Sequence, residues 1–497
     1  MSWWQFAAHN WESGKTDSSK SEGSSALDPS QYQEGQPKPH LLSSKEFIAE
    51  AKKHFSEFDK NHDGFLTYDE LAEQVENKNN KGETAQFVAA LYGSRKTLRE
   101  MNNDTVVSST WLPVISLLPG ASILPGLHEP DGVSMKDLNN AESLIQQKTN
   151  DTNNPYSIAS VQQFDADKDG NLSKTELQTA LQSRKLPKDE AELFQYYLNN
   201  NDSSDVVKVT DVLTYFTKND MGDEADKFMN KIDMILNRAY EAQTNRAGKL
   251  FGESKDGKDG VNIYGVSQGT LGDCYFMASL GAVAHHSPDT IRNMIKENRD
   301  GTYTVTFPGA KDEPITVQPI TEAERGIFTG AADHGEWAAV IEKGYGTYCQ
   351  KHFWRRTPKN MSGGNLPAEG ADGGGMLLDN LMNLLTGKGT TQDWLANPVP
   401  LLHWVPTGDP DALVKAKLYA AVGSNQEHKV PTVAWQKPWN QTAVSDVTNH
   451  VYSVLDYNPA GGDGGTLTLY NPWGHKEAIS FKQFSERFMS VAYQTER

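Results

Sequence analysis

One stretch decides the character of the second half of this chain: Gln-Gly-Thr-Leu-Gly-Asp-Cys-Tyr-Phe-Met-Ala-Ser-Leu at residues 268–280. Two glycines, Gly269 and Gly272, precede Cys274, and the apolar run that follows predicts a helix beginning at the cysteine. The positive end of a helix dipole favours negative charge, so a thiol placed there is favoured as the nucleophilic thiolate. Taken alone, Cys274 has another reading, because most buried free cysteines are inert small apolar side chains.

Two distant stretches supply the groups that a nucleophilic thiol needs. His450 lies in Asn-His-Val-Tyr-Ser-Val and Asn471 lies in Leu-Tyr-Asn-Pro-Trp-Gly. A histidine can take the thiol proton, and an asparagine oxygen can hold the far N–H of the imidazole and fix its tautomer. The side-chain amide of Gln268 and the backbone N–H of Cys274 can stabilise the oxyanion of acyl transfer. The set predicts a cysteine peptidase.

Composition limits the other possibilities. A chain of 497 residues is too long for one core and predicts two to four domains. Its net charge of −18 argues against nucleic acid and anionic membranes as partners. No uninterrupted apolar stretch is long enough to span a bilayer, so no membrane span is expected. The expected partners are protein or peptide substrates, and the oligomeric state stays open.

The expected compartment is the cytoplasm. The chain has only 2 cysteines, Cys274 and Cys349, so disulfides do not stabilise it, and free thiols suit a reducing environment. The first residues lack the basic and apolar segments of a secretory signal. Export by a signal-independent route stays open. Cys349 is expected to be a core thiol.

Two 12-residue stretches, loop 1 (Asp59–Glu70) and loop 2 (Asp165–Glu176), share one pattern of oxygen-bearing residues. Calcium takes six to eight hard oxygens at about 2.3–2.6 Å, and this spacing wraps them around one point. Gly64 and Gly170, at position 6, permit the sharp turn; a solvated acidic loop is the alternative. The predicted ligands are Asp59, Asn61, Asp63, Phe65 (through its carbonyl), Thr67 and Glu70 in loop 1, and Asp165, Asp167, Asp169, Asn171, Ser173 and Glu176 in loop 2.

Residues 43–220 resemble the EF-hand family through these loops, which implies Ca²⁺ as the bound ion. Fainter echoes at 102–107 and 200–207 lack the glycine and the full ligand set. We interpret them as metal-free partner hands, because a lone hand leaves its apolar face exposed. Calcium could then regulate the second half of the chain or only stabilise the hands.

The second half, over about 255–497, resembles the calpain family of cysteine proteases. The resemblance lies in the stretch at 268–280, then in Glu-Trp-Ala-Ala-Val-Ile-Glu-Lys-Gly-Tyr-Gly at 336–346, and then in the two stretches that hold the histidine and the asparagine, in that order. It implies a papain-like fold of two lobes, with the active site between a helical lobe and a β-rich lobe. It also implies Gln268 as oxyanion donor, Cys274 as nucleophile, His450 as base and Asn471 as the residue that orients the base.

The chain departs from the family pattern at several positions. Tyr275 stands where the family usually has Trp, and Asn449 precedes the catalytic histidine where Gly is usual. Gly265 stands where calcium-switched members carry an acidic ligand, and Glu342 matches the other carboxylate of that site. These departures leave open whether the protease lobes keep a calcium switch of their own.

The predicted fold class is multidomain α+β, with an N-terminal all-α EF-hand region followed by a two-lobed papain-like, calpain-type cysteine peptidase core. The rival reading is a calcium-sensing binding protein whose peptidase-like half is inactive, and a transferase of similar chemistry is a third. The predicted division is a disordered arm at 1–42, EF-hand pair 1 at 43–127, EF-hand pair 2 at 128–222, a linker helix at 223–250, the Cys274 lobe at 251–390, and the lobe with His450 and Asn471 at 391–497.

Overall fold

The protein is described by a computed structural model in which the following residues are placed: 40–100, 132–149, 155–168, 170–183, 186, 188–200, 207–218, 222–244, 249–252, 260–330, 334–353, 378–395, 410–437 and 449–495. The arm predicted at 1–42 therefore lies almost wholly outside the described residues, as do the echo at 102–107 and Asp169. Among the described helices, none is long and apolar enough to cross a membrane.

The first hand pair is built around loop 1. Ser43 and Thr67 begin α1 and α2 as capping boxes, and Glu70 completes the second by accepting from the Thr67 N–H at 2.8 Å. A short antiparallel pairing of β1 with β2 places Leu66 opposite Val133. The elements of this pair are α1 (Ser44–Phe58), β1 (Phe65–Thr67), α2 (Tyr68–Glu76), α3 (Glu83–Glu100), β2 (Gly132–Ser134) and α4 (Met135–Thr149).

The strand β1 of loop 1 pairs with a strand that no local sequence pattern indicated. The partner strand is β2, so the first pair runs on to Thr149. The predicted boundary between residues 127 and 128 stays a prediction; β1 lies before it and β2 after it. A strand of three residues gives too weak a pattern to be found without its partner.

The second hand pair is built around loop 2. Antiparallel pairing sets Leu172 of loop 2 opposite Val207, at the end of the echo at 200–207. The elements are α5 (Ile158–Gln162), β3 (Asn171–Leu172), α6 (Lys174–Gln182), α7 (Lys188–Asn200), β4 (Val207–Lys208) and α8 (Val209–Lys218). The linker helix α9 (Glu224–Thr244) comes next and packs against α3, α8 and α12, which joins the hands to the rest of the chain.

The mixed region begins with helices and a small antiparallel sheet in the order β5-β6-β7. Its elements are α10 (Cys274–His286), α11 (Pro288–Met294), β5 (Ile295–Glu297), β6 (Tyr303–Val305), β7 (Ile315–Val317), α12 (Glu322–Ile327), α13 (Trp337–Phe353) and α14 (Leu378–Thr386).

A six-stranded sheet in the order β12-β11-β10-β9-β13-β8 completes the mixed region. The chain ends as helix followed by strand, and β13 enters the sheet between β9 and β8, which sequence periodicity did not predict. The elements are β8 (Thr390–Trp394), α15 (Pro410–Val422), β9 (Thr432–Gln436), β10 (Val451–Asn458), β11 (Thr466–Asn471), β12 (His475–Ser480), α16 (Phe481–Arg487) and β13 (Phe488–Gln494).

Helix α10 lies between the sheet and the other helices. Every residue from Tyr275 to Ala284 is buried, which is why this helix is apolar on all sides rather than on one face. On one side Ser453 Oγ of β10 donates to the Ala278 carbonyl at 2.7 Å. On another side the Phe276 ring stacks on the Tyr345 ring with centroids 3.9 Å apart. The N-terminus of α10, where Cys274 lies, is thereby fixed from both halves of the mixed region.

We expect Leu66→Ala to lower the free energy of unfolding of the hand region by about 2–5 kcal/mol, because Leu66 is fully buried in the core next to β2. The measurement is calorimetric and denaturant unfolding of the full chain. Leu413→Ala is the control: Leu413 is 55% exposed, so its loss should change stability by less than about 0.5 kcal/mol. Equal effects of the two substitutions would contradict the assigned pairing.

Candidate active site

His450 and Asn471 form a buried pair at the ends of adjacent strands. His450 Nε2 lies 2.9 Å from Asn471 Oδ1, and the two residues are 3% and 1% exposed. The same oxygen accepts from the Trp473 backbone N–H at 3.0 Å, which identifies it as the amide oxygen. Nε2 must therefore be the donor, and in the neutral ring the lone pair is on Nδ1. The Trp473 ring lies 4.5 Å from the imidazole and covers this pair.

Asn449 explains one departure from the family pattern. Its φ of 56° lies in the left-handed region, which strains most residues but which glycine and asparagine adopt most readily. The side chain is also used, since Asn449 Oδ1 accepts from Trp435 Nε1 at 3.1 Å. Asparagine therefore replaces glycine here with little backbone cost, and His450 keeps its entry into β10.

Gln268 joins the segment before the cysteine to the segment after the asparagine. Its backbone N–H donates to the Pro472 carbonyl at 2.8 Å, and its Oε1 accepts from Trp473 Nε1 at 2.9 Å. Its Nε2 donates to the Leu271 carbonyl at 2.7 Å and lies 3.4 Å from Asp273 Oδ1. Both ends of the amide are thus fixed, and the residue is only 2% exposed.

Cys274 is the first residue of α10, is half-buried and forms no disulfide. The residue before it, Asp273, is fully buried, and its carbonyl accepts from the backbone N–H groups of Phe276 and Met277 at 2.8 and 3.0 Å. Cys349 differs in every respect: it is 3% exposed, and burial raises the pKa of its thiol to about 12. Cys349 is therefore a core thiol, as expected, and Cys274 is the thiol at a helix start.

A pair of buried carboxyl groups lies beside the cysteine. Asp273 and Glu342 are both 0% exposed, and their side chains lie close enough for the charge of one to act on the other. Burial, together with the charge of Asp273, holds the pKa of Glu342 well above its usual range. The other oxygen of Glu342, Oε2, accepts from the Thr329 N–H at 2.6 Å. Sequence reasoning missed Asp273, although its place before the cysteine was a signal.

The lobe calcium site suggested by the calpain resemblance does not fit these residues. A Cβ on Gly265 would lie 2.7 Å from Trp337 Cζ2, so the indole fills the space that an acidic side chain would need. Trp337 Nε1 is itself committed to the Gly260 carbonyl at 3.2 Å. Glu342 is engaged by Asp273 and Thr329, as described above. We therefore assign no metal to this place.

The two loops fit calcium better. In loop 2, carboxylate oxygens of Asp165, Asp167 and Glu176 lie within 4.8 Å of one another, and within the described ranges this is the one such acidic group. Gly64 and Gly170 have φ values of +86° and +80°, as the sharp turn at position 6 requires. These are hard oxygen donors on tightly turned backbone, which is the donor chemistry that Ca²⁺ prefers.

Loop 1 holds its carboxylates in hydrogen bonds with its own backbone. Asp59 Oδ2 accepts from the Gly64 N–H at 3.0 Å, and Glu70 Oε1 accepts from the Lys60 N–H at 2.8 Å. The carboxylates of both ends of the loop are therefore turned toward its interior, where a cation would be bound.

Comparison with known families agrees with these two halves. Residues 226–367 match the family model of the calpain family cysteine proteases, and residues 53–75 and 162–181 match that of the EF hand. The chain thus combines a calpain-type cysteine protease domain with EF hands, and the EF hands indicate calcium binding. The protease match includes Cys274 and ends before the histidine and the asparagine. No curated protein matches the chain significantly.

We expect Gly265→Ala to destabilise the protein by about 1–3 kcal/mol, since the new methyl group would overlap the Trp337 ring. Thermal unfolding of the full chain measures the effect. Gly462→Ala is the control, because a Cβ there meets nothing within 4 Å. A neutral Gly265→Ala substitution would show that the space beside Trp337 is open after all.

Proposed function

We propose that the chain is a calpain-like cysteine endopeptidase that hydrolyses protein peptide bonds through a Cys274 thioester. The observation that carries the proposal is the buried network in which Asn471 holds His450 and Trp473 holds Gln268. It supplies an oriented base, and it links that base to Gln268, an oriented amide donor in the segment that leads to the thiol at the start of α10. A merely structural role would not require four polar side chains at one buried place.

The reaction follows from these positions. Cys274 transfers its proton to His450 Nδ1, since Nε2 is engaged by Asn471. The thiolate attacks the substrate carbonyl carbon, and the oxyanion is stabilised by Gln268 Nε2 and the Cys274 backbone N–H. His450 then gives the proton to the leaving amine as the C–N bond breaks. Water, deprotonated by His450, attacks the thioester and releases the acid and the thiol.

The buried partners keep the imidazole in one tautomer and one orientation. Asn471 is neutral, so it can fix the ring without adding a charge to it, and Trp473 keeps water from the Nε2 bond. Because the surroundings are poorly solvated, the thiolate–imidazolium pair interacts more strongly than it would in water. Orientation and low dielectric together favour transfer of the thiol proton.

The proposal also covers the division of the core into lobes, the class of substrate and the compartment. The core would form two lobes, at 251–390 with Cys274 and at 391–497 with the other two catalytic residues. Protein or peptide substrates would bind between them. Neither cysteine forms a disulfide, which supports a reducing, cytoplasmic setting.

Calcium would be held by the two loops and would act on the protease from the N-terminal side. The proposed ligands are those predicted from the sequence, and the carboxylates of loop 2 that gather within 4.8 Å support them. Bound there, calcium would supply positive charge and draw the flanking helices into one arrangement. Helix α9, which packs on both α3 and α12, gives such a change a route to the protease region.

The first test replaces the nucleophile and the base. Cys274→Ala and His450→Ala should each lower turnover of a casein or peptide substrate by on the order of 10³-fold or more. Cys349→Ala is the matched control and should keep turnover close to wild type, since that thiol is buried in the core. Wild-type turnover in either catalytic variant would exclude the mechanism.

The rival reading makes a different prediction. If the protease half is inactive and the chain is a calcium-sensing binding protein, a thiol-directed probe should fail to label Cys274 even with calcium present. Rapid labelling at Cys274, identified by mass spectrometry, with slow labelling of Cys349, would favour the peptidase.

The second test concerns calcium. Glu70→Gln and Glu176→Gln each remove one negative charge at position 12 and should move the calcium dependence of peptide hydrolysis to higher concentration by tenfold or more. Glu297→Gln, an exposed change on β5, is the control. Unchanged calcium curves in both loop variants would mean that the ion only stabilises the hands.

A further inference from the structure

Helix α7 of the second hand pair packs directly on the strand that partners Asn471. The rings of Tyr196 and Tyr197 meet the His475 ring edge-on, both with centroids 5.5 Å away. His475 is the residue opposite Asn471 in the β11–β12 register. Tyr197 and His475 are 1% and 9% exposed, so this contact excludes water.

The contact depends on ring packing rather than on hydrogen bonds. The Tyr197 hydroxyl and His475 Nδ1 are both buried without a hydrogen-bond partner. Burial lowers the pKa of His475 to about 4, so the ring is neutral at pH 7 and packs as an aromatic group. Edge-to-face aromatic pairs of this kind have a preferred geometry, which makes them sensitive to small displacements.

The neighbouring turn is also covered by the second hand pair. Asp211 of α8 lies 3.9 Å from the position that a Cβ on Gly474 would occupy, and Gly474 ends the Asn471–Gly474 turn. Beyond His475 on the same strand, Glu477 forms a buried ion pair with Arg487 at 2.9 Å. Burial and the charge of Glu477 raise the pKa of the Tyr196 hydroxyl. Helices α7 and α8 therefore contact β12 and the turn at several adjacent points.

A second contact reaches the other catalytic segment. Arg238 of α9 donates through Nη2 to the carbonyls of Phe328 at 2.8 Å and Ser267 at 3.3 Å. Ser267 directly precedes Gln268, and its own carbonyl also accepts from Thr329 Oγ1 at 2.9 Å. Thr329 in turn binds Glu342, the partner of the residue before Cys274. Arg238 thus holds the backbone from which Gln268 projects.

We propose that the helical region aligns the catalytic centre, with Tyr197 acting through His475 and Arg238 acting through Ser267 as positioning residues. The proposal rests on the proposed peptidase function and adds to it the way in which the site is held. Neither residue touches the reacting atoms. Each fixes a backbone segment that carries a catalytic side chain, and displacements of about 1 Å in such segments can cost on the order of 10²-fold in rate.

The test uses matched pairs of substitutions in the full chain. Tyr197→Leu removes the ring, whereas Tyr197→Phe removes only a hydroxyl that has no partner. Arg238→Met removes the donor, whereas Arg238→Lys keeps one that can reach a carbonyl. For each variant we would measure kcat and KM for a peptide, thermal unfolding, and the rate of iodoacetamide alkylation of Cys274 against pH, with the site identified by mass spectrometry.

We expect Tyr197→Leu and Arg238→Met to lower kcat by tenfold or more with little change in KM. In Tyr197→Leu the acid limb of the alkylation profile should also move to higher pH, because a less well-oriented His450 stabilises the thiolate less. Tyr197→Phe should match wild type, and Arg238→Lys should fall between wild type and Arg238→Met.

The results distinguish a positioning role from a purely structural role and from failure of the peptidase function. Lower unfolding temperatures with wild-type kcat and alkylation profiles would overturn the proposal, since they would show a structural role alone. Wild-type protein could show an acid limb that depends on the histidine and yet cleave no peptide. The peptidase function would then be wrong, and the alkylation profiles of the variants would still test whether Tyr197 and Arg238 position the catalytic segments. A wild-type profile without that limb would overturn both. If Tyr197→Leu does not fold, the Arg238 pair decides alone.

Discussion

Two hydrogen bonds between Gln268 and the Asn471–Gly474 turn are the constraint on which the rest of this structure depends. One joins the Gln268 backbone N–H to the Pro472 carbonyl at 2.8 Å, and the other joins Trp473 Nε1 to the Gln268 amide oxygen at 2.9 Å. The second of them connects residues 205 positions apart in the chain. Without them, only packing contacts would fix the position of the segment that leads into Cys274 relative to the segment that holds His450. Packing alone tolerates displacements that are too large for a catalytic geometry.

The polar groups around these two hydrogen bonds are costly to bury, and a chain of further hydrogen bonds satisfies them. Trp473 supplies two donors, one to Gln268 and one to Asn471, and Asn471 in turn accepts from His450. Beside the cysteine, burial and the charge of Asp273 raise the pKa of Glu342, which disfavours two adjacent negative charges there. A network of this kind is rigid because each member loses a partner if its neighbour turns.

Local features of the fold could be predicted from the sequence, and contacts between distant segments could not. The turn at Gly64 and the helix that starts at Cys274 follow from spacing and apolar runs that lie within about a dozen residues. The strand that pairs with Leu66 begins at Gly132 and has only three residues, so no local pattern marks it. The filling of the space beside Gly265 by Trp337 is likewise a tertiary fact, because the two residues are brought together only by the fold.

Under the proposed function, the contacts of the two hand pairs would give calcium two different points of action. Loop 2 belongs to the hand pair that contains α7, and its strand pairs with β4, so a change of helix angle in that pair bears on His475 and the Asn471 side. Loop 1 belongs to the pair that contains α3, which packs on α9 and therefore bears on Arg238 and the Gln268 side. The proposed peptidase mechanism needs both sides aligned, and occupancy of either loop alone would align only one of them. The two calcium loops lie in different surroundings and would act on different sides. A peptidase controlled in this way would respond to the joint occupancy of both loops rather than to the first ion bound.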